Sequence, residues 1–154
     1  MRRLCPWKPH VRKGKDPLPL RQPQYEGNPG WILLTHDSDG SCVALFVNHQ
    51  DRVTPIGVVM DERMFSDTVI RATQLGPDVF LACDLRWFNG VNLWETKSYA
   101  QRKTLLEELL AEFHSPDLST FLTYDEVPAL TPVRGWETYD DQPGTLGVFL
   151  PAQE

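Results

Sequence analysis

The sequence is short of almost everything that signals a metal centre, a disulfide scaffold or a membrane span. Its three cysteines, Cys5, Cys42 and Cys83, are far apart and never paired as C-x-x-C. That excludes a zinc knuckle and a disulfide framework and favours reduced thiols. His10, His36, His49 and His114 are equally scattered, and none stands at metal-ligand spacing from a cysteine or a second histidine. No apolar run approaches the roughly 20 residues that a spanning helix needs. The opening MRRLCPWKPH has basic residues with no apolar stretch behind them, so it does not read as a secretory signal. These absences predict an intracellular protein, cytoplasmic or nuclear and not secreted, with no membrane partner and no metal. No repeat of fixed period is present either.

What is there fits one ordinary domain. At 154 residues, 41% hydrophobic and 23% charged, the chain can bury one substantial core and is too short for two. Its net charge of −6 is unevenly placed: residues 1–22 carry seven cations against the single Asp16, a local +6, so the remainder carries −12. The expected organisation is therefore a basic, proline-rich N-terminal arm over residues 1–22 and one domain over residues 23–154. Phosphate neutralisation dominates nucleic-acid affinity, which makes Arg2, Arg3, Lys8, Arg12, Lys13 and Lys15 of the arm the candidate nucleic-acid-binding residues. A solvated, partly disordered terminus rich in proline explains the same composition.

Hydrophobic patterning then sets the elements. WILLTH and CVALFVNH flank DSDGS, a turn signal, and predict a β-hairpin. VTPIGVVM is a strand candidate that Pro55 confines to an edge, a bulge or a strand start. DERMFSDTVIRATQL has apolar residues at roughly helical spacing behind acidic residues, and predicts a short helix. VFLACDLRWF reads as a central strand ended by the Asn89-Gly90 turn. SYAQRKTLLEELLAEFH predicts a second helix capped by Ser98, with Leu105, Leu106, Leu109, Leu110 and Phe113 as its core stripe. STFLTY and TLGVFL are late strand candidates. Together these give an α+β domain, a mainly antiparallel sheet with two or more helices.

Several of these segments resemble the adenylation domain of ATP-dependent DNA ligases, within the covalent nucleotidyltransferase superfamily. DLRWFNG, Asp84 to Gly90, is similar to that family's strand Asp-Leu-x-aromatic-apolar-Asp/Asn-Gly, and an Arg-led amphipathic helix, QRKTLLEELL, follows at the usual distance. QYEG, Gln24 to Gly27, looks like the nucleotide-attaching motif Lys-x-Asp/Glu-Gly placed before a hairpin, and TLGVFL resembles the Glu-Gly-Val-x-apolar strand. In this order the likeness spans most of residues 20–150. It implies a ligase- or capping-enzyme-like nucleotidyltransferase fold with a pocket holding Gln24, Glu26, Gly27 and Asp84, in which Glu26 accepts from a ribose hydroxyl.

The departures from the family concern its chemistry. The motif lysine attacks the α-phosphate of ATP through a neutral amine. Gln24 stands there instead, and an amide nitrogen is neither basic nor nucleophilic. No arginine follows in NPGW, the late motif's metal-holding glutamate falls on Leu146, the adenine-stacking aromatic falls on Cys83, and no Lys-x-Lys strand follows. The resemblance thus implies a degenerate module that binds a nucleotide, a nucleic acid or a protein partner with no catalytic residue. It has no cofactor, with ATP and Mg entering only if ligase-like activity survives. Its phosphate-neutralising groups are gone, so adenosine should bind no worse than ATP.

Two alternatives stand beside it. One is an active ligase- or capping-type fragment completed by another chain. The other is an unrelated α+β interaction module whose exposed Trp31, Trp87, Trp94 or Trp136 anchors a protein interface. Glutamine introduced at position 24 of a lysine-containing parent would leave the other losses in place. KGKD, Lys13 to Asp16, holds two other lysines near an acid, but as part of an arm they would lack the rigid support that catalysis needs.

Overall fold

The computed structural model describes residues 11–152. The chain enters through β1 (Val11–Lys13) and β2 (Leu20–Tyr25), then crosses at Glu26 and Gly27 into β3 (Asn28–His36). That crossing explains the motif glycine, because a Cβ on Gly27 would lie 2.5 Å from the Gln74 carbonyl oxygen. β3 turns through Asp37–Ser41, where the Asp37 carboxylate accepts from the Asp39 and Ser41 amides, into β4 (Cys42–Asn48). Next come the edge strand β5 (Val53–Pro55), the short β6 (Val59–Met60), and the long antiparallel pair β7 (Thr68–Gly76) and β8 (Val79–Phe88). A turn at Asn89 and Gly90, φ 48° and 84°, leads back into β9 (Val91–Asn92). The helix α1 (Tyr99–Phe113), β10 (His114–Ser115), β11 (Thr120–Leu122), β12 (Val133–Tyr139) and β13 (Gly147–Pro151) complete the chain.

These strands form two main sheets. The larger runs β11-β8-β7-β3-β4-β5 with β9 on β8, and the smaller runs β1-β13-β12-β2. β6 and β10 make a separate two-stranded pair. Most pairings are antiparallel; β1–β13 and β11–β8 are parallel. The expected α+β class with two or more helices is corrected by this count: strand makes up 48% and helix 15%, and α1 is the one α-helix among the described residues. The helix expected over DERMFSDTVIRATQL is a single 3-10 turn at Glu62–Met64, capped by Asp61, followed by β7. Asp67, at φ 69°, breaks any helical path. The β-branched Thr68, Val69, Ile70 and Thr73 then extend between β3 and β8 with both faces covered, an environment that favours strand whatever the apolar spacing.

Strand alternation gives the large sheet two different faces. Ile32, Leu34, Ala44, Phe46, Ile70, Ala72, Phe80 and Ala82 form one core with Leu106, Leu109 and Leu110 of α1. Each buried Ile, Leu or Phe among them stabilises the fold by about 1.5–3 kcal/mol, and each Ala by less. α1 starts where expected, with Ser98 and Gln101 in a reciprocal capping box. Its first turn sends Arg102 to Asp84 on β8, in a two-pronged ion pair at 2.9 and 3.0 Å. Tyr99 stacks on Tyr139 of β12, ring centroids 4.0 Å apart, and so ties the helix start to the small sheet. No helix among the described residues is long and apolar enough to cross a membrane.

Candidate functional site

The other face of the large sheet meets the small sheet through a polar layer. Along β7 the residues alternating with the helix-facing Ile70 and Ala72 are Val69, Arg71 and Thr73. Across from them β12 supplies Glu137 and Tyr139, and β2 supplies Gln24. Arg71 Nη2 donates to Glu137 Oε2 at 3.0 Å, while the Tyr139 hydroxyl donates to Glu137 Oε1 in a short hydrogen bond. Gln24 Nε2 donates to Thr73 Oγ1 at 3.3 Å, and Thr73 Oγ1 lies 3.8 Å from Cys83 Sγ. Burial is the largest single influence and works against the Arg71 charge, but Glu137, together with Tyr139, Cys83 and Tyr124, outweighs it and raises the pKa. Burial, then the Glu137 carboxylate, push the Cys83 thiol up to about 11, so it stays neutral and unreactive.

At one end this layer opens into a cleft of about 570 Å³, lined by Val11 and Lys13 of β1, Arg71 of β7, Arg134 and Glu137 of β12, and Phe149 and Pro151 of β13. Three cations and one carboxylate face it, and the carboxylate is already paired. Arg71 Nη1 is buried with no hydrogen-bond partner, while Lys13 and Arg134 are exposed at the mouth. The Arg134 guanidinium lies 5.7 Å from the Phe149 ring centre. Chemically this arrangement offers charged donors and an aromatic face to an anionic ligand. It offers no free base, since Glu137 is held by Arg71 and Tyr139.

The residues singled out from the sequence are not gathered at this cleft. Gln24 is sealed in the layer, only 1% exposed, with its amide on Thr73. Glu26 is exposed and its backbone N–H donates to the Pro132 carbonyl. Gly27 serves the crossing between sheets. Asp84 is wholly buried against Arg102, which gives it a structural task. Of the basic arm, Arg2, Arg3 and Lys8 lie outside the described residues, while Arg12, Lys13 and Lys15 are exposed. The arm boundary after residue 22 falls within β2, and Val11–Lys13 pairs with β13, so Lys13 does have a strand to hold it. Trp31 and Trp94 are buried rather than exposed: Trp31 packs with Leu33, Val47 and Val69, and Trp94 lies under Arg86 and Arg102. Trp87 and Trp136 are half-buried.

The metal and triphosphate implied by the family resemblance fare differently. Among the described residues no group of three or more His, Cys, Asp or Glu side chains is placed to hold a metal ion, and Leu146, at the position of the metal-holding glutamate, is exposed. The residues do not fit a magnesium site. The cleft does carry three cations, Lys13, Arg71 and Arg134, of which Lys13 alone is singled out from the sequence. Arg71 had a signal, a lone charge inside an apolar, β-branched run, hidden by the helical reading of that run. No family model matches the chain, and no curated protein matches it.

Proposed function

We propose that the protein is a DNA-ligase-like nucleotidyltransferase relative without the nucleophilic lysine, a non-catalytic module that holds a nucleotide by its phosphates in the cleft between the sheets. The observation that carries this reading is Arg71, a buried guanidinium lining the cleft with one nitrogen on Glu137 and Nη1 without a partner. A buried charged donor left unmade is costly. A phosphate oxygen is the acceptor whose charge and geometry best suit a guanidinium. Lys13 and Arg134 add cations at the mouth, and Phe149 adds a ring on which a base can stack. The motif resemblance in QYEG, DLRWFNG and TLGVFL supplies the ligand class. The nucleotide is here a ligand, with no metal needed, and the proposed setting is the cytoplasm or nucleus.

The test is incubation of the purified protein with α-labelled ATP or GTP and a divalent metal, followed by acid quench. Reversible, salt-sensitive binding with no covalent adduct is expected. Gln24→Lys alone should form none either, because position 24 faces Thr73 rather than the cleft. A labelled lysine would overturn the reading, above all Lys13, which stands at the mouth on a paired strand.

A further inference from the structure

The small sheet has a second face, turned away from the cleft. On it Arg21 of β2 lies over the Trp136 ring of β12, its guanidinium carbon 3.6 Å from the ring centre. Trp136 is paired in register with Leu150 of β13. Pro17 and Pro19 form the far wall of a groove of about 410 Å³ over this pair, and that wall is fixed because the Leu18 N–H donates to Thr138 Oγ1 at 2.9 Å. Arg12 alternates with the cleft-facing Val11 and Lys13, so it joins this outer face, and Lys15 follows in the loop. Arg12, Lys15 and Arg21 are all exposed, and no ion pair engages them among the described residues.

We infer that this outer face binds single-stranded nucleic acid, one base stacking on the Arg21–Trp136 pair while neighbouring phosphates meet Arg12 and Lys15. Charge and shape both select this occupant. Residues 11–22 carry four cations against the single Asp16 while residues 23–154 carry −12, so a polyanion is steered to this end of the molecule. Within it the stackable surface is a guanidinium plane backed by an indole, which accepts any base through its π-face. A duplex keeps its bases stacked inside and cannot use that plane. A proline-rich peptide would want the bare tryptophan ring, and Arg21 covers it. The inference is independent of the cleft: Arg71, Arg134 and Phe149 are on the opposite face.

The experiment is fluorescence anisotropy of a labelled oligothymidylate titrated with the full chain, with a duplex of matched length and poly-glutamate as competitors. Thymidylate should bind better than duplex, and poly-glutamate should compete poorly. Arg21→Ala and Trp136→Leu should each weaken binding about tenfold, with folding checked by circular dichroism. Arg21 is exposed, so its variant keeps the test decisive if Trp136→Leu fails to fold. Arg12→Ala with Lys15→Ala should flatten the salt dependence. Equal competition by poly-glutamate, a preference for duplex, an absence of binding, or affinity indifferent to Arg21→Ala would each overturn the inference.

Discussion

The two faces of the large sheet are built from the same strands and do opposite things. Toward α1, Ile32, Ile70, Ala72, Phe80 and Ala82 sit in a wholly apolar core with the α1 leucines, Met64 and Phe121. One residue along each strand, toward the small sheet, stand Arg71, Thr73 and Cys83, facing Gln24, Glu137 and Tyr139. The apolar face stabilises the fold in proportion to the area it hides. On the other face such burial comes from Trp31, Leu33, Val47 and Val69, and the polar layer beside them adds little, since a buried ion pair roughly breaks even against a hydrophobic pair of equal volume. Its presence is better explained by what it can hold than by the stability it adds.

That contrast can be broken at either face. The largest effect is expected on the helix side. Leu106→Asp or Leu109→Asp puts a carboxylate into the apolar core and should unfold the domain or cost about 3–5 kcal/mol, read by thermal or urea melts. Unchanged melting in both would mean that the core is elsewhere. On the polar side Glu137→Ala strands the Arg71 charge and should cost about 3 kcal/mol. The double variant Arg71→Met, Glu137→Leu should recover most of that stability while losing nucleotide binding. If the double variant stays as unstable as Glu137→Ala, the pair supports the fold rather than the ligand.

A smaller effect is expected at His114, at the end of α1. Its ring stacks on Phe121 and its Nε2 accepts from the Phe121 N–H at 3.1 Å. Burial lowers its pKa, outweighing the Val59 backbone and the Glu126 carboxylate. The unfolded chain therefore binds the proton more readily. The contribution is fully present above the ordinary value of 6.5 and is lost as pH falls through the folded pKa. For a half-exposed ring the size is below about 1 kcal/mol. Between pH 7.5 and 5 the wild type should lose more melting temperature than His114→Gln, whose amide oxygen can accept the same N–H. Equal losses would remove His114 from the account.

Local chemistry made much of this fold readable. The Asp37–Ser41 turn, the strand ending at Asn89-Gly90 and the Ser98-capped helix all depend on residues within a few positions of one another. β7 was harder. Its apolar spacing suits a helix, and only pairing with β3 and β8 on both sides decides for strand. The cleft was illegible for the same reason, taken further. Arg71 and Glu137 are 66 residues apart, and VRGWETY, with a glycine and three charged or polar positions, does not announce a strand. The motif residues Gln24 and Asp84 were found, but only the fold shows that one is sealed beside Thr73 and the other is committed to Arg102.

The central claim is that phosphates are held by the cleft's cations, Arg71 foremost. NMR titration of the full chain with ATP and, separately, with adenosine tests it most directly, following the amides of Lys13, Arg71, Arg134 and Phe149. The account predicts that ATP shifts these four together and binds at least about tenfold more tightly than adenosine, in keeping with charge-assisted pairing of guanidinium and phosphate. Equal affinity for both ligands, or ATP shifts confined to other amides, would contradict it.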